Sequence, residues 1–163
     1  MPVTCFAFPR HAHMPGLNPR HDEALFDPVK ATAPARTRSE EAARNLAWQH
    51  GLDLFAAGYF WEAHEVLEAV WMNAAPNSAE RYVVQGVIQL ANSALKSRMG
   101  REKAARRLAE IARDLFSRVP AESTVMGLSV AALRDAAERA LMTEWPQQAA
   151  CLSDATSNMQ YSA

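Results

Sequence analysis

Proline is distributed unevenly along this chain of 163 residues, and that division decides what each part can become. Six of the nine prolines (Pro2, Pro9, Pro15, Pro19, Pro28 and Pro34) fall within the first 36 residues. Each removes a backbone donor and fixes φ, so residues 1–36 are expected to be an extended arm without helix. From Thr37 onward the sequence turns to Ala, Glu, Arg and Leu at helical spacing, and the breakers become rare and well separated. Residues 37–143 are therefore expected to form a helical domain, followed by a polar, frayed C-terminal tail over 144–163.

The punctuation of the domain predicts five helices. Thr37-Arg-Ser-Glu40 reads as a capping box opening the first, with Leu46, His50, Leu54 and Ala57 on one face. Gly58 ends it, and the short turn at Gly58-Tyr59 makes the next helix its antiparallel partner. That second helix runs from about Phe60 to Asn73, stopped ahead of Pro76. Asn77-Ser-Ala-Glu80 reads as another capping box, opening a long helix from about Ser78 to Met99, which Gly100 ends. A fourth covers about Arg101 to Val119, with Pro120 as its stop, and Ser129 caps a fifth over Val130 to about Met142. No strand-like alternation is found anywhere. The expected fold is all-α, a compact antiparallel helical bundle of about five helices carrying a proline-rich arm.

Composition sets limits on function. The formal charge is −1 and the apolar fraction 49%, so the chain can pack a core but has no overall attraction to nucleic acid or to an anionic membrane. No apolar run reaches the length of a membrane span, and residues 1–13 lack a signal-type apolar stretch. Cys5 and Cys151 lie near opposite ends with no metal or redox spacing. A cytoplasmic protein is expected, one that binds neither nucleic acid nor membrane. The basic cluster Lys96, Arg98, Arg101, Lys103, Arg106 and Arg107 reads as a solvated face beside a helix C-terminus.

The second helix carries the residues with chemistry. On a helical wheel Phe60, Ala63, Val66, Leu67, Val70 and Trp71 form the apolar arc, with His64 at its edge and Glu68 one turn on. His64 and Glu68 are i,i+4 neighbours, so the carboxylate is placed to orient the imidazole, while Glu65 points toward solvent. H-E-x-x-E lacks the second histidine of the zinc-protease helix. A divalent metal on His64 and Glu68 would need donors from elsewhere. On the third helix Gln85, Gln89 and Asn92 lie opposite the apolar arc, where uncharged amides suit either a solvent face or a polar groove facing His64 and Glu68. From the arm, Arg20 and His21 are candidates to close over that site.

Taken together, Gly58-Tyr-Phe-Trp-Glu-Ala-His-Glu-Val-Leu-Glu-Ala-Val-Trp71 followed by Gln85-Gly-Val-Ile-Gln89 resembles the bacterial and archaeal family called domain of unknown function 309. The resemblance spans about Leu46 to Ala140. It implies a compact helical bundle and a shared polar patch of His64, Glu65, Glu68, Trp71, Gln85 and Gln89. The family has no assigned activity, so three functions stay open. The leading one is a binding module holding a small ligand or peptide between the second and third helices. The others are a hydrolase- or lyase-like enzyme using His64 as general acid/base, with or without a metal, and a structural or assembly protein such as a homodimer.

Overall fold

The computed structural model describes residues 6–142; the expected C-terminal tail, Cys5 and Cys151 lie outside them. The architecture is all-helical, as the sequence implies, apart from one very short hairpin. After a 3₁₀ turn at Glu23–Phe26 comes the single turn α1 (Asp27–Lys30), and a second 3₁₀ segment occupies Ser39–Arg44. The five expected helices follow as α2 (Leu46–Ala56), α3 (Phe60–Met72), α4 (Ala79–Arg98), α5 (Glu102–Ser117) and α6 (Val130–Met142). The strands β1 (Thr124–Val125) and β2 (Leu128–Ser129) pair antiparallel between α5 and α6.

Short connections force neighbouring helices to run antiparallel, and α4 lies between α3 on one side and α5 on the other, with α6 closing against α5. Its buried residues, among them Val83, Val84, Val87, Leu90, Ala91 and Ala94, surround much of its circumference, which explains the broad apolar arc in its sequence. Two glycines set the helix spacing. A Cβ on Gly51 would stand 2.3 Å from Leu67 Cδ2, and one on Gly86 would stand 2.3 Å from Phe116 Cε1. Hence α2 lies tightly on α3, and the fully buried Phe116 ring of α5 lies directly over the α4 backbone.

Several expected starts are displaced because their capping side chains are used in tertiary contacts. α2 begins at Leu46 rather than near Thr37, with the Asn45 side chain accepting from Trp48 N–H at 3.0 Å. Thr37 instead donates its hydroxyl to Val70 O at 2.7 Å. Ahead of α4 the cap is Ser78, whose Oγ accepts from Arg81 N–H at 3.1 Å. Asn77 takes a left-handed φ of 59°, and Glu80 Oε1 accepts from Ser39 N–H at 3.3 Å. The arm is not free of helix: Pro28 sits at the start of α1, where its missing donor is harmless.

The hairpin corrects the expectation of no strands. With two residues per strand it is too short to show alternation, and Met126 and Gly127, at φ 53° and 73°, supply its turn. Its tip is locked into the core, since Met126 N–H donates to Ser39 Oγ at 2.6 Å and Met126 O accepts from Trp48 Nε1–H at 3.0 Å. No helix among the described residues is long and apolar enough to cross a membrane.

Gly86→Ala tests the α4–α5 spacing. Overpacking against Phe116 should destabilise by about 1–3 kcal/mol, outweighing the gain of up to about 1 kcal/mol in helix propensity. Thermal unfolding should show a lower Tm; a clearly raised Tm would mean the helices are not held this close.

Candidate functional site

Helix α3 presents ionisable groups on both sides of its apolar arc, and the two sides have different surroundings. Glu62 and His64 are two residues apart, hence about 200° apart around the axis. Sequence reasoning selected His64 and passed over Glu62. Of the two, Glu62 is the fully buried one, at 0% exposure, while His64 is only half-buried.

Glu62 lies in the first turn of α3, where the helix dipole favours a carboxylate. Its Oε2 accepts two hydrogen bonds from the arm, from His13 N–H at 2.9 Å and from His21 Nε2–H at 3.0 Å. Its Oε1 is buried with no hydrogen-bond partner among the described residues. The charge of Arg98 also acts on this carboxylate. Arg98 itself lies over the Phe60 ring, 4.5 Å from its centroid, and donates to Gly58 O at 2.6 Å. Burial lowers the Arg98 pKa and Glu62 partly restores it.

Around Glu62 the arm builds a compact loop. Asn18 holds it together: its Oδ1 accepts from Met14 N–H at 2.9 Å and from His13 Nδ1 at 3.1 Å, and its Nδ2 donates to Ala12 O at 2.9 Å. His11 Nε2 pairs with Pro19 O at 2.9 Å, and the His11 and His21 rings lie 4.6 Å apart, tilted by 37°. Trp61, beside Glu62, meets the edge of His13 at 4.8 Å and the guanidinium of Arg20 at 5.4 Å. Arg20 and His21 thus do come down on α3, as expected, but onto Trp61 and Glu62. Glu65 is likewise engaged from the arm side, in an ion pair with Lys30 at 3.4 Å.

The carboxylate of α3 that is hydrogen-bonded to an imidazole is therefore Glu62, with His21. No hydrogen bond or ion pair joins His64 to Glu68 among the described residues, and no group of three His, Cys, Asp or Glu side chains among them is disposed to hold a metal. Glu68 is exposed, and His64, Gln85 and Gln89 are half-buried without hydrogen-bond partners among the described residues. Trp71 continues this face of α3. Arg81 stacks on its ring at 4.2 Å, its backbone O accepts from Arg81 Nη1 at 3.3 Å, and its Nε1 is buried without a partner among the described residues. Since α3 and α4 are antiparallel with Trp71 opposite Arg81, the stretch of α4 bearing Gln85 and Gln89 runs alongside the stretch of α3 bearing Glu68 and His64.

Residues 48–108 match the family described as Domain of unknown function (DUF309). The matched stretch is shorter than the expected Leu46 to Ala140. It begins in α2, takes in α3 and α4 whole and ends within α5. The DUF309-like segment thus supplies Glu62, His64, Glu68, Trp71, Gln85 and Gln89, whereas His13, Arg20 and His21 come from outside it. No curated protein and no solved structure gives a significant match.

One further histidine is engaged by the arm. His50 on α2 is 1% exposed, with the rings of Phe6 and Phe8 at 5.5 and 5.8 Å. Burial lowers its pKa below the usual 6.5, opposed in part by Asp53. Below pH 6.5 the unfolded chain then binds a proton that the folded one resists, so stability falls with pH until the lowered folded value is reached. His50→Phe should remove this part of the acid sensitivity in denaturant titrations between pH 7 and 5; an unchanged slope would contradict it.

Glu62→Ala should destabilise by about 1–3 kcal/mol, the penalty of leaving the His13 N–H and His21 imidazole without their acceptor. His64→Ala, which removes no hydrogen bond, should stay within about 1 kcal/mol of wild type. Urea unfolding of the two variants decides this, and equal losses would deny Glu62 its special place.

Proposed function

We propose that the chain is a binding module whose ligand lies along the polar face shared by α3 and α4. The observation that carries this is Trp71 Nε1–H, a buried donor without a hydrogen-bond partner among the described residues. Buried donors are normally satisfied, so an unmatched one marks a place where a ligand acceptor would be favoured. It sits at one end of a stripe of further polar groups, Glu68, Gln85, His64 and Gln89, that are not engaged with one another among the described residues. A small ligand or short peptide offering a carbonyl or hydroxyl acceptor to Trp71 and mixed donors and acceptors to the amides fits this chemistry.

His64 would act here by hydrogen bonding to the ligand. A cytoplasmic setting belongs to the same reading, supported by the two widely separated cysteines and by the lack of a spanning helix among the described residues.

Native mass spectrometry of protein purified under mild conditions should detect a retained small molecule. Gln89→Ala and His64→Ala should each lose it while keeping the wild-type helical circular dichroism. Retention of the same mass by both variants would place the ligand elsewhere and overturn this reading.

A further inference from the structure

The surface around Trp61 and Glu62 is separate from the α3/α4 stripe and is filled by the arm of the same chain, which shows what kind of group it accepts. Glu62 is a buried anion that takes N–H donors. Trp61 beside it offers an aromatic face on which a guanidinium already rests. A carboxylate next to an indole face is the pairing that binds organic cations, by charge-assisted hydrogen bonds on one side and cation–π attraction on the other. In this chain the three roles are played by His13 N–H, His21 Nε2–H and Arg20. One acceptor position, Glu62 Oε1, is still left over and is fully buried. An anion would be repelled there, and no three metal-ligating side chains gather among the described residues.

The segment that fills this surface is only lightly held. Across residues 10–22 His13 is buried, the His21 side chain is 6% exposed and Met14 packs against the core, whereas Leu17 is 72% exposed. The bonds from this segment to the helices converge on Trp61 and Glu62, whereas its flanks have their own anchors, Phe8 against His50 and Tyr59 before it and Phe26 and Val29 in the core after it. With Met14 as its apolar contact to the core and its polar bonds to the helices gathered on one carboxylate, this segment has the sparse attachment that favours local opening without unfolding of the rest.

We propose that Trp61 and Glu62 form a recognition site for an organic cation bearing N–H donors, a guanidinium or ammonium group, and that residues 10–22 are a flap occupying it as an internal stand-in. Binding then competes with the flap, so the apparent affinity is reduced by the fraction of time the flap is closed. Arg98 shares the countercharge of Glu62 but is committed to Gly58 O, and Lys30 is paired with Glu65, so neither takes the open acceptor.

The test uses the full chain with methylguanidinium as probe and methylurea as its neutral isostere, followed by NMR shifts of the Trp61 indole and of residues 10–22. Methylguanidinium should give saturable shifts at Trp61. Its affinity should rise at least about threefold in His21→Ala, where the flap loses a latch, and fall at least about tenfold in Glu62→Gln, where the charge is gone. Should Glu62→Gln not fold, Arg20→Ala serves instead: it clears the Trp61 face and should tighten binding. The proposal is overturned if methylurea binds as well as methylguanidinium, if Glu62→Gln binds like wild type, or if neither arm variant gains affinity.

Discussion

Between its apolar anchors on either flank, the loop of the arm from His13 to His21 is held on the bundle by one buried carboxylate. Glu62 accepts from both ends of the loop that runs from His13 to His21, so one oxygen closes the loop and docks it at the same time. Burying that charge would be prohibitive without compensation. Here the compensation is distributed over a helix N-terminus, a backbone amide, an imidazole and the field of Arg98. The contacts of Trp61 with His13 and Arg20 lie on the same loop that Glu62 docks.

This arrangement divides α3 into two sides. Trp61, Glu62 and Glu65 serve the arm, through His21, Arg20 and Lys30. His64, Glu68 and Trp71 are left to the α4 side, where Gln85 and Gln89 run alongside. The DUF309 match covers both sides of the helix but none of the arm. The binding surface proposed along α4 is thus built wholly from the matched segment, while the residues proposed as a flap over Trp61 lie outside it.

How much of this was legible in the sequence follows from how far each feature reaches along the chain. The helices were legible because their breakers, Gly58, Pro76, Gly100 and Pro120, act on their immediate neighbours. Caps were less so: Thr37 and Glu80 have the right residue types at the right spacing, but tertiary partners, Val70 and Ser39, claim their side chains. Arg20 and His21 were found as arm residues able to cover α3, although not the side of it they reach. Glu62 was missed because a glutamate in the first turn of a helix has an ordinary local explanation. Its burial is decided by His13 and His21, more than forty residues away by the separations of 49 and 41, and no helical wheel contains them.

The central claim, that Glu62 pins the arm through a backbone amide as well as an imidazole, is tested most directly by hydrogen exchange at one site, the His13 N–H in the unmodified protein. The account predicts an amide strongly protected relative to its neighbours in the loop, with the protection lost in Glu62→Ala. A His13 amide that exchanges as freely as the exposed loop residues around it would contradict the account.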